Sequence, residues 1–68
     1  MDSQKIAKKL IELRGNETQS KIAEKIGIKQ STYAMYESGK RVPSDQRKII
    51  IAKYYGLTVQ EIFYNDND

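Results

Sequence analysis

The sequence predicts an all-α fold, a compact bundle of five helices in one small domain. Three observations favour this fold. Apolar residues recur at three- and four-residue spacing along the chain, residues that cap helices alternate with glycines that end them, and no segment is predicted as a strand. The 68 residues are enough for a single domain. The chain has no Cys, so no disulfide bond can stabilise this domain.

The first helix is predicted at the N-terminal end of the chain. Its apolar stripe consists of Ile6, Leu10 and Leu13, widened by Ile11. Asp2 or Ser3 is placed to cap this helix, and Gly15 is suited to the C′ position that ends it.

The second and third helices follow with almost no loop between them. Thr18 is the expected N-cap of the second helix, which ends at Gly27. Its inward residues are Ile22, Ala23 and Ile26. Ile28 is an apolar plug in the turn, and the third helix runs from about residue 30 to residue 38 and ends at Gly39.

The fourth helix begins after an extended break at Val42 and Pro43, because the residue before a proline disfavours helix. Ser44 is the expected N-cap, and Asp45 suits the positive end of the helix. The apolar pattern continues from there and stops at Gly56.

The fifth helix is short. Thr58 and Glu61 have the spacing of a capping box, and Ile62 and Phe63 supply its apolar residues. Residues 1–64 are therefore expected to form the domain, and residues 65–68, with two aspartates, are expected to form a disordered acidic tail.

The third helix has an unusual outer face. If Tyr33 and Tyr36 point inward, small polar or apolar side chains take the opposite side. These are Ser31, Ala34, Met35 and Ser38, with Gln30 projecting from the first turn. A helix displayed in this way fits the major groove of DNA, with its N-terminal residues against the base edges.

Composition narrows the possible functions. The chain has no His and no Cys, so the usual transition-metal ligands and the usual catalytic base and nucleophile are missing, and neither a cofactor nor an enzymatic activity is expected. The formal net charge of +3 favours a polyanionic partner only weakly. No apolar run approaches membrane-spanning length and no secretory signal is present, so a cytoplasmic protein is expected.

Two segments resemble the Cro/cI repressor-like (XRE) helix-turn-helix regulators. They are TQSKIAEKIGIKQSTYAMYESGKRVPS, residues 18–44, and IAKYYGLTVQEIF, residues 51–63. The resemblance implies a lambda-repressor-like DNA-binding domain, with the helix-turn-helix motif at about residues 19–38. It also implies a bacterial, phage or mobile-element origin.

The resemblance further implies roles for individual residues. The base-reading positions are Lys29, Gln30, Ser31, Ala34 and Met35. The phosphate-contacting positions are Thr18, Gln19, Ser38, Lys40 and Arg41. Arg14 and Glu37 match a pair that ties the first helix to the third. Three residues depart from the family pattern: Lys29 replaces a capping Ser or Thr, Glu17 stands where an apolar residue is common, and Lys48 stands at a frequent leucine position.

Plainer roles remain open for several of these residues. Gln30 and Ser31 are also suited to a solvated surface, and Lys40 and Arg41 to an ordinary charged turn. Tyr33 and Tyr36 belong to the core, although a phenol edge can also reach a phosphate.

The expected function is that of a sequence-specific transcriptional regulator, a repressor that binds an inverted-repeat operator in double-stranded DNA as a homodimer. The candidate dimer contacts are Ile50, Tyr54 and Val59. The alternative is an antitoxin or co-regulator whose main role is to bind a protein partner.

Overall fold

A computed structural model describes residues 2–64, and these residues form five α-helices and no strand. In chain order the helices are α1 (Ser3–Arg14), α2 (Gln19–Ile26), α3 (Gln30–Glu37), α4 (Asp45–Tyr55) and α5 (Val59–Phe63). The predicted all-α fold is confirmed. The predicted acidic tail, residues 65–68, lies outside the described residues.

Four of the five helices begin at a side-chain cap that the sequence predicted. The capping oxygens belong to Asp2, Thr18, Ser44 and Thr58, and each accepts a hydrogen bond from a backbone N–H in the first turn of its helix. Thr58 and Glu61 form the full capping box. The exception is α3, because its N-cap residue Lys29 makes no side-chain hydrogen bond to the helix.

The core lies where the helices converge and is made of aliphatic and aromatic side chains. Its largest fully buried members are Leu10, Ile22, Tyr33 and Ile51. One prediction about the first helix is wrong: Ile11 does not widen the apolar stripe but is 47% exposed, and Ala7 is buried instead.

The helices pack so that α3 is held from two directions. Both α1 and α2 contact α3, while α1 also packs against α5, α2 against α4, and α4 against α5. The described part of the chain measures 30 × 23 × 23 Å. No helix within residues 2–64 is long and apolar enough to cross a bilayer.

Lys48 is buried in the position where the family often has leucine. Its Nζ donates a hydrogen bond to Tyr64 Oη at 2.9 Å and lies 3.6 Å from Asp45 Oδ1. The ammonium also lies 5.0 Å from the centre of the Tyr64 ring and 5.9 Å from that of Phe63. The aliphatic stem of Lys48 fills the buried position, while its charge is stabilised by the Phe63 ring and by the two oxygens.

Candidate nucleic-acid interface

The turn between α2 and α3 is compact because of one glycine. Gly27 has φ +80°, in the left-handed region that favours glycine. The backbone N–H groups of Gly27 and Ile28 both donate to the carbonyl oxygen of Ala23 at 2.9 Å, which satisfies the C-terminal end of α2. Ala23 is buried and small, so α3 leaves the turn in a fixed direction close to α2.

The inner face of α3 is fixed by buried side chains. Tyr33 and Tyr36 are 0% and 2% exposed, and their rings meet edge to face with centroids 6.2 Å apart. Glu37 is also buried. Rotation of α3 about its axis would remove these groups from the core, so the orientation of its outer face is fixed as well.

The outer face of α3 carries the residues that the sequence predicts to read bases. Gln30, Ser31 and Met35 are exposed and Ala34 is half-buried, while Lys29 is exposed at the start of the helix. Met35 is 39% exposed and contributes an apolar side chain to this face. The structure therefore brings these five residues together on one surface.

A partly buried ion pair joins α1 to α3. Arg14 Nε donates to Glu37 Oε2 at 2.7 Å, and Arg14 Nη2 donates to Glu37 Oε1 at 3.0 Å. Gln19 Nε2, at the start of α2, donates to Glu37 Oε1 at 2.9 Å. Arg14 Nη1 also donates to the carbonyl oxygen of Glu17 at 2.7 Å. One carboxylate thus connects the first three helices.

The hydrogen bonds of Glu37 determine its charge. Burial alone would raise the pKa of this carboxyl, but hydrogen bonds from Arg14 and Gln19 and the nearby Tyr33 hydroxyl outweigh burial and lower the pKa below its ordinary value. The hydrogen bond to Glu37 likewise raises the pKa of Arg14. Glu37 is therefore ionised at neutral pH.

Two tyrosine hydroxyls lie buried beside this carboxylate. Burial raises the pKa of Tyr33 and of Tyr55, with the negative charge of Glu37 adding to the effect, so both phenols stay protonated. Neither hydroxyl has a well-aligned hydrogen-bond partner among the described residues. The side chain in this cluster that changes charge as the pH falls is therefore Glu37.

The residues predicted to contact phosphates differ in whether their hydrogen-bond donors are already used within the chain. Thr18 Oγ1 accepts from the Lys21 N–H at 3.1 Å, which leaves its own O–H able to donate. Gln19 uses one amide N–H on Glu37 and keeps a second. Ser38 donates its O–H to the Met35 carbonyl oxygen at 3.1 Å, so its hydroxyl is engaged within the chain.

Lys40 and Arg41 are held by their backbone at the end of α3. Their N–H groups donate to the Met35 carbonyl oxygen at 3.0 and 3.3 Å, respectively. Gly39, just before them, has φ +78° and lies so close to Gln4 that a Cβ there would be 2.3 Å from Gln4 Nε2. The two side chains are exposed, so two cations project from a fixed segment beside the outer face of α3.

Two further residues near α3 were missed by the sequence analysis. Thr32 on α3 and Arg47 on α4 line a shallow open groove whose other lining residues are Glu24, Gly27, Ile28, Lys29 and Arg41. Arg47 Nη1 donates to Tyr36 Oη at 3.1 Å. The sequence pattern of α4 does not reveal the contact of Arg47 with Tyr36, because the two residues are 11 positions apart and lie on different helices.

The candidate dimer contacts lie on α4 and at the start of α5. Ile50 is 39% exposed, whereas Val59 packs partly against the core. Tyr54 is half-buried and donates its hydroxyl to Glu17 Oε1 at 3.0 Å, so its polar end is used within the chain. Ile49, which the sequence analysis did not single out, is more exposed, at 52%.

No group of three or more carboxylates within residues 2–64 is arranged to hold a metal ion. The surface of α3 and its flanks is polar, and the exposed charged residues there, Lys29, Lys40 and Arg41, are cationic.

Comparisons with known proteins agree with this architecture. The family model described as Helix-turn-helix matches residues 8–62. An uncharacterized HTH-type transcriptional regulator from Methanocaldococcus jannaschii, MJ0272, is 36% identical over 53 residues, which cover 78% of this chain and 80% of that protein. No solved structure matches the chain at a significant level.

Proposed function

Because the chain belongs to the XRE-type helix-turn-helix family of DNA-binding regulators, we propose that it is a sequence-specific repressor that binds an inverted-repeat operator as a homodimer. Residues 1–64 act as the DNA-binding domain in this proposal. Its partner is double-stranded DNA inside the cell, and it requires neither a cofactor nor a catalytic step.

The observation that carries the proposal is the contrast between the two faces of α3. The inner face is fixed by Tyr33, Tyr36 and Glu37, while the outer face presents Ser31 to solvent and the exposed first turn presents Gln30. Amide and hydroxyl groups can both donate to and accept from base edges in the major groove. A rigid helix with such a face has the geometry that direct readout requires.

The flanks of α3 support contact with the DNA backbone. Thr18 and Gln19 lie at the N-terminus of α2, on the side of α3 where Glu37 contacts Gln19. Lys40 and Arg41 follow the other end of α3. Contacts of this type position a protein on duplex DNA, while the residues on the outer face of the helix select the sequence.

The alternative, an antitoxin or co-regulator that mainly binds a protein, is supported by a different surface. Ile49 and Ile50 are both exposed on α4. An exposed apolar pair of this kind suits a contact with a different protein.

A titration on two DNAs tests the proposal. The preferred sequence is first selected from random duplexes by the full chain, and binding is then measured on that sequence and on a random duplex. Gln30→Ala and Ser31→Ala are expected to cost about 1–3 kcal/mol on the preferred sequence, with little loss on the random one. Lys40→Ala and Arg41→Ala are expected to weaken binding to both DNAs alike and to reduce the salt slope by about one.

Lys53→Ala is the matched control for Lys40→Ala, because it removes one exposed lysine from α4. If the wild-type chain shows no sequence preference, or if Gln30→Ala weakens both DNAs equally, α3 does not read the sequence. If the chain binds a protein with an affinity that is insensitive to salt, and does not bind DNA, the alternative is favoured.

A further inference from the structure

The groove beside the N-terminal half of α3 concentrates positive charge. Lys29, Arg41 and Arg47 come from the α2–α3 turn, the segment after α3, and α4, and they line one shallow surface. Glu24 is the single acidic residue among the lining residues, so the groove has an excess of two positive charges. Cations from three separate segments meet here although their mutual repulsion opposes it, which favours an anionic ligand.

Arg47 is held in this groove by a core residue. Its Nη1 donates to the hydroxyl of Tyr36, which is 2% exposed and part of the inner face of α3. This contact uses one of the five N–H donors of the guanidinium, and the other donors remain on the same planar fork. The hydrogen bond therefore orients the charged group relative to α3.

The groove lies beside the C-terminal end of α2, where Glu24 and Gly27 also line it, whereas Thr18 and Gln19 lie at the N-terminal end of α2. Thr32 lines the groove, whereas Ala34, two positions later, is about 160° away around the helix axis. The contact of Gln19 with Glu37 is on the other side. When a helix lies in the major groove, its two flanks face the two sugar-phosphate backbones that border the groove.

From this geometry we infer that the groove binds a phosphate of the DNA backbone, with Arg47 as a contact residue that Tyr36 positions. Lys29 and Arg41 are the other cations of this site, so Lys29 contacts the backbone and not a base edge. Arg47 approaches the strand opposite the one that Thr18 and Gln19 contact. This inference rests on the proposed DNA-binding function and adds Arg47 and Lys29 to its backbone contacts.

The test compares four variants of the full chain on the preferred and the random duplex between 50 and 200 mM salt. Arg47→Gln removes the charge but keeps an amide that can donate to Tyr36. Arg47→Gln is expected to weaken binding to both DNAs alike. The ratio of the affinity at 50 mM salt to the affinity at 200 mM salt is expected to be smaller than in the wild type by a factor of about 3.5, the amount for one phosphate contact. Arg47→Lys is expected to keep most of the salt dependence.

Two further variants control for general charge effects. Lys53→Gln removes one positive charge from an exposed position of α4 and is expected to leave the salt dependence close to that of the wild type. Glu24→Gln removes the acid that opposes an anion in the groove and is expected to tighten binding to both DNAs. Thermal melting of each variant, followed by circular dichroism, reports whether it is folded.

The outcomes separate this inference from the proposed function. If Arg47→Gln behaves as Lys53→Gln does while the wild type still prefers its selected sequence, the groove inference is wrong and the function stands. If the wild type has no sequence preference, the function itself fails. If Arg47→Gln does not fold, the NMR signal of the Arg47 Nε–H is followed in the wild type as random duplex DNA is added. The inference expects this signal to shift, and a signal that does not move would overturn it.

Discussion

At the scale of single residues, Glu37 joins three helices, α1, α2 and α3, through its hydrogen bonds. It accepts hydrogen bonds from Arg14 and Gln19 and lies against the Tyr33 hydroxyl, although only 7% of its surface is exposed. A buried carboxylate is costly unless its partners satisfy it, so these residues depend on one another. The sequence analysis placed Arg14 with Glu37 by resemblance, but the contribution of Gln19 to the cluster appears only in three dimensions.

The first prediction concerns the energetic coupling of Arg14 and Glu37. We expect the single variants Arg14→Met and Glu37→Gln each to lower the free energy of unfolding, because each leaves one member of the pair without its ionic partner. The double variant should lose less than the sum of the two, by about 0.5–3 kcal/mol. Urea unfolding of the four proteins measures this coupling, and strictly additive losses would show that the pair has no energetic role.

The second prediction concerns the pH dependence of stability. The pKa of Glu37 is lower in the folded chain than its ordinary value of 4.5, so between these two values the unfolded chain binds more protons. The stabilisation by Glu37 is therefore complete above about pH 4.5 and is lost as the pH falls through the folded pKa.

Glu37→Gln is the reference for this measurement, because it lacks the titrating group and leaves the other acids in place. These include Glu61, whose pKa is also lowered, by hydrogen bonds with Thr58. We expect the difference in unfolding free energy between the wild type and Glu37→Gln to be constant from pH 7 to pH 5 and to shrink below pH 4.5. A difference that stays constant down to pH 3 would contradict the assigned direction of the pKa shift.

At the scale of elements, local signals in the sequence were sufficient to locate each helix. Asp2, Thr18, Ser44 and Thr58 cap the helices that they were expected to cap, because a capping hydrogen bond joins residues two or three positions apart. Gly27 and Gly56 end helices for an equally local reason, since each has a positive φ.

Features that depend on distant residues were not predictable in the same way. Apolar spacing did not reveal that Ile11 is exposed, because α1 packs against α3 and α5 on another side. The groove was missed for a similar reason, since Arg47 reaches Tyr36 across two helices. The exposed residues of α3 were predictable from the buried positions of Tyr33 and Tyr36, which fix the orientation of a regular helix.

The third prediction concerns the start of α3, the one helix whose cap residue offers no side-chain hydrogen bond. Lys29 has the extended backbone of an N-cap, with φ −70° and ψ 144°, so a serine fits there without strain. We expect Lys29→Ser to stabilise the chain by about 0.5–1 kcal/mol, through a new hydrogen bond to a backbone N–H of the first turn. In a domain of this size that corresponds to a rise in Tm of about 2–8 °C.

Lys29→Ala is the matched control, because it removes the same ammonium group without adding a capping oxygen. Both variants should lose the same DNA affinity if Lys29 contacts a phosphate, while only Lys29→Ser should melt at a higher temperature than the wild type. Equal melting temperatures for the two variants would show that the missing cap does not limit the stability of α3.

At the scale of the whole molecule, size limits what one copy can recognise. The eight residues of α3 span about 12 Å, so a single copy reads only a few base pairs. Two copies related by a two-fold axis place their α3 helices in successive major grooves, about 34 Å apart. The proposed homodimer would present its two α3 helices to an inverted repeat with this spacing.

The last prediction tests this arrangement with a matched pair of substitutions on α4. Ile50 is a candidate dimer contact, and Ile49 is its more exposed neighbour, about 100° away around the helix. Ile50→Glu and Ile49→Glu introduce the same charge, so their electrostatic effects on DNA binding should be similar. In a dimer through Ile50, a buried glutamate would meet its own copy across the two-fold axis, where like charges repel. We therefore expect Ile50→Glu to weaken binding to the full inverted repeat at least tenfold more than Ile49→Glu does, which corresponds to about 1.4 kcal/mol. On a single half-site the two variants should bind equally.

Titration of both variants on both DNAs is the measurement, with analytical ultracentrifugation of the complexes to count the copies bound. Equal effects of the two substitutions on the full repeat would place the subunit contact elsewhere, and wild-type binding to one half-site as tight as to the full repeat would exclude a cooperative dimer.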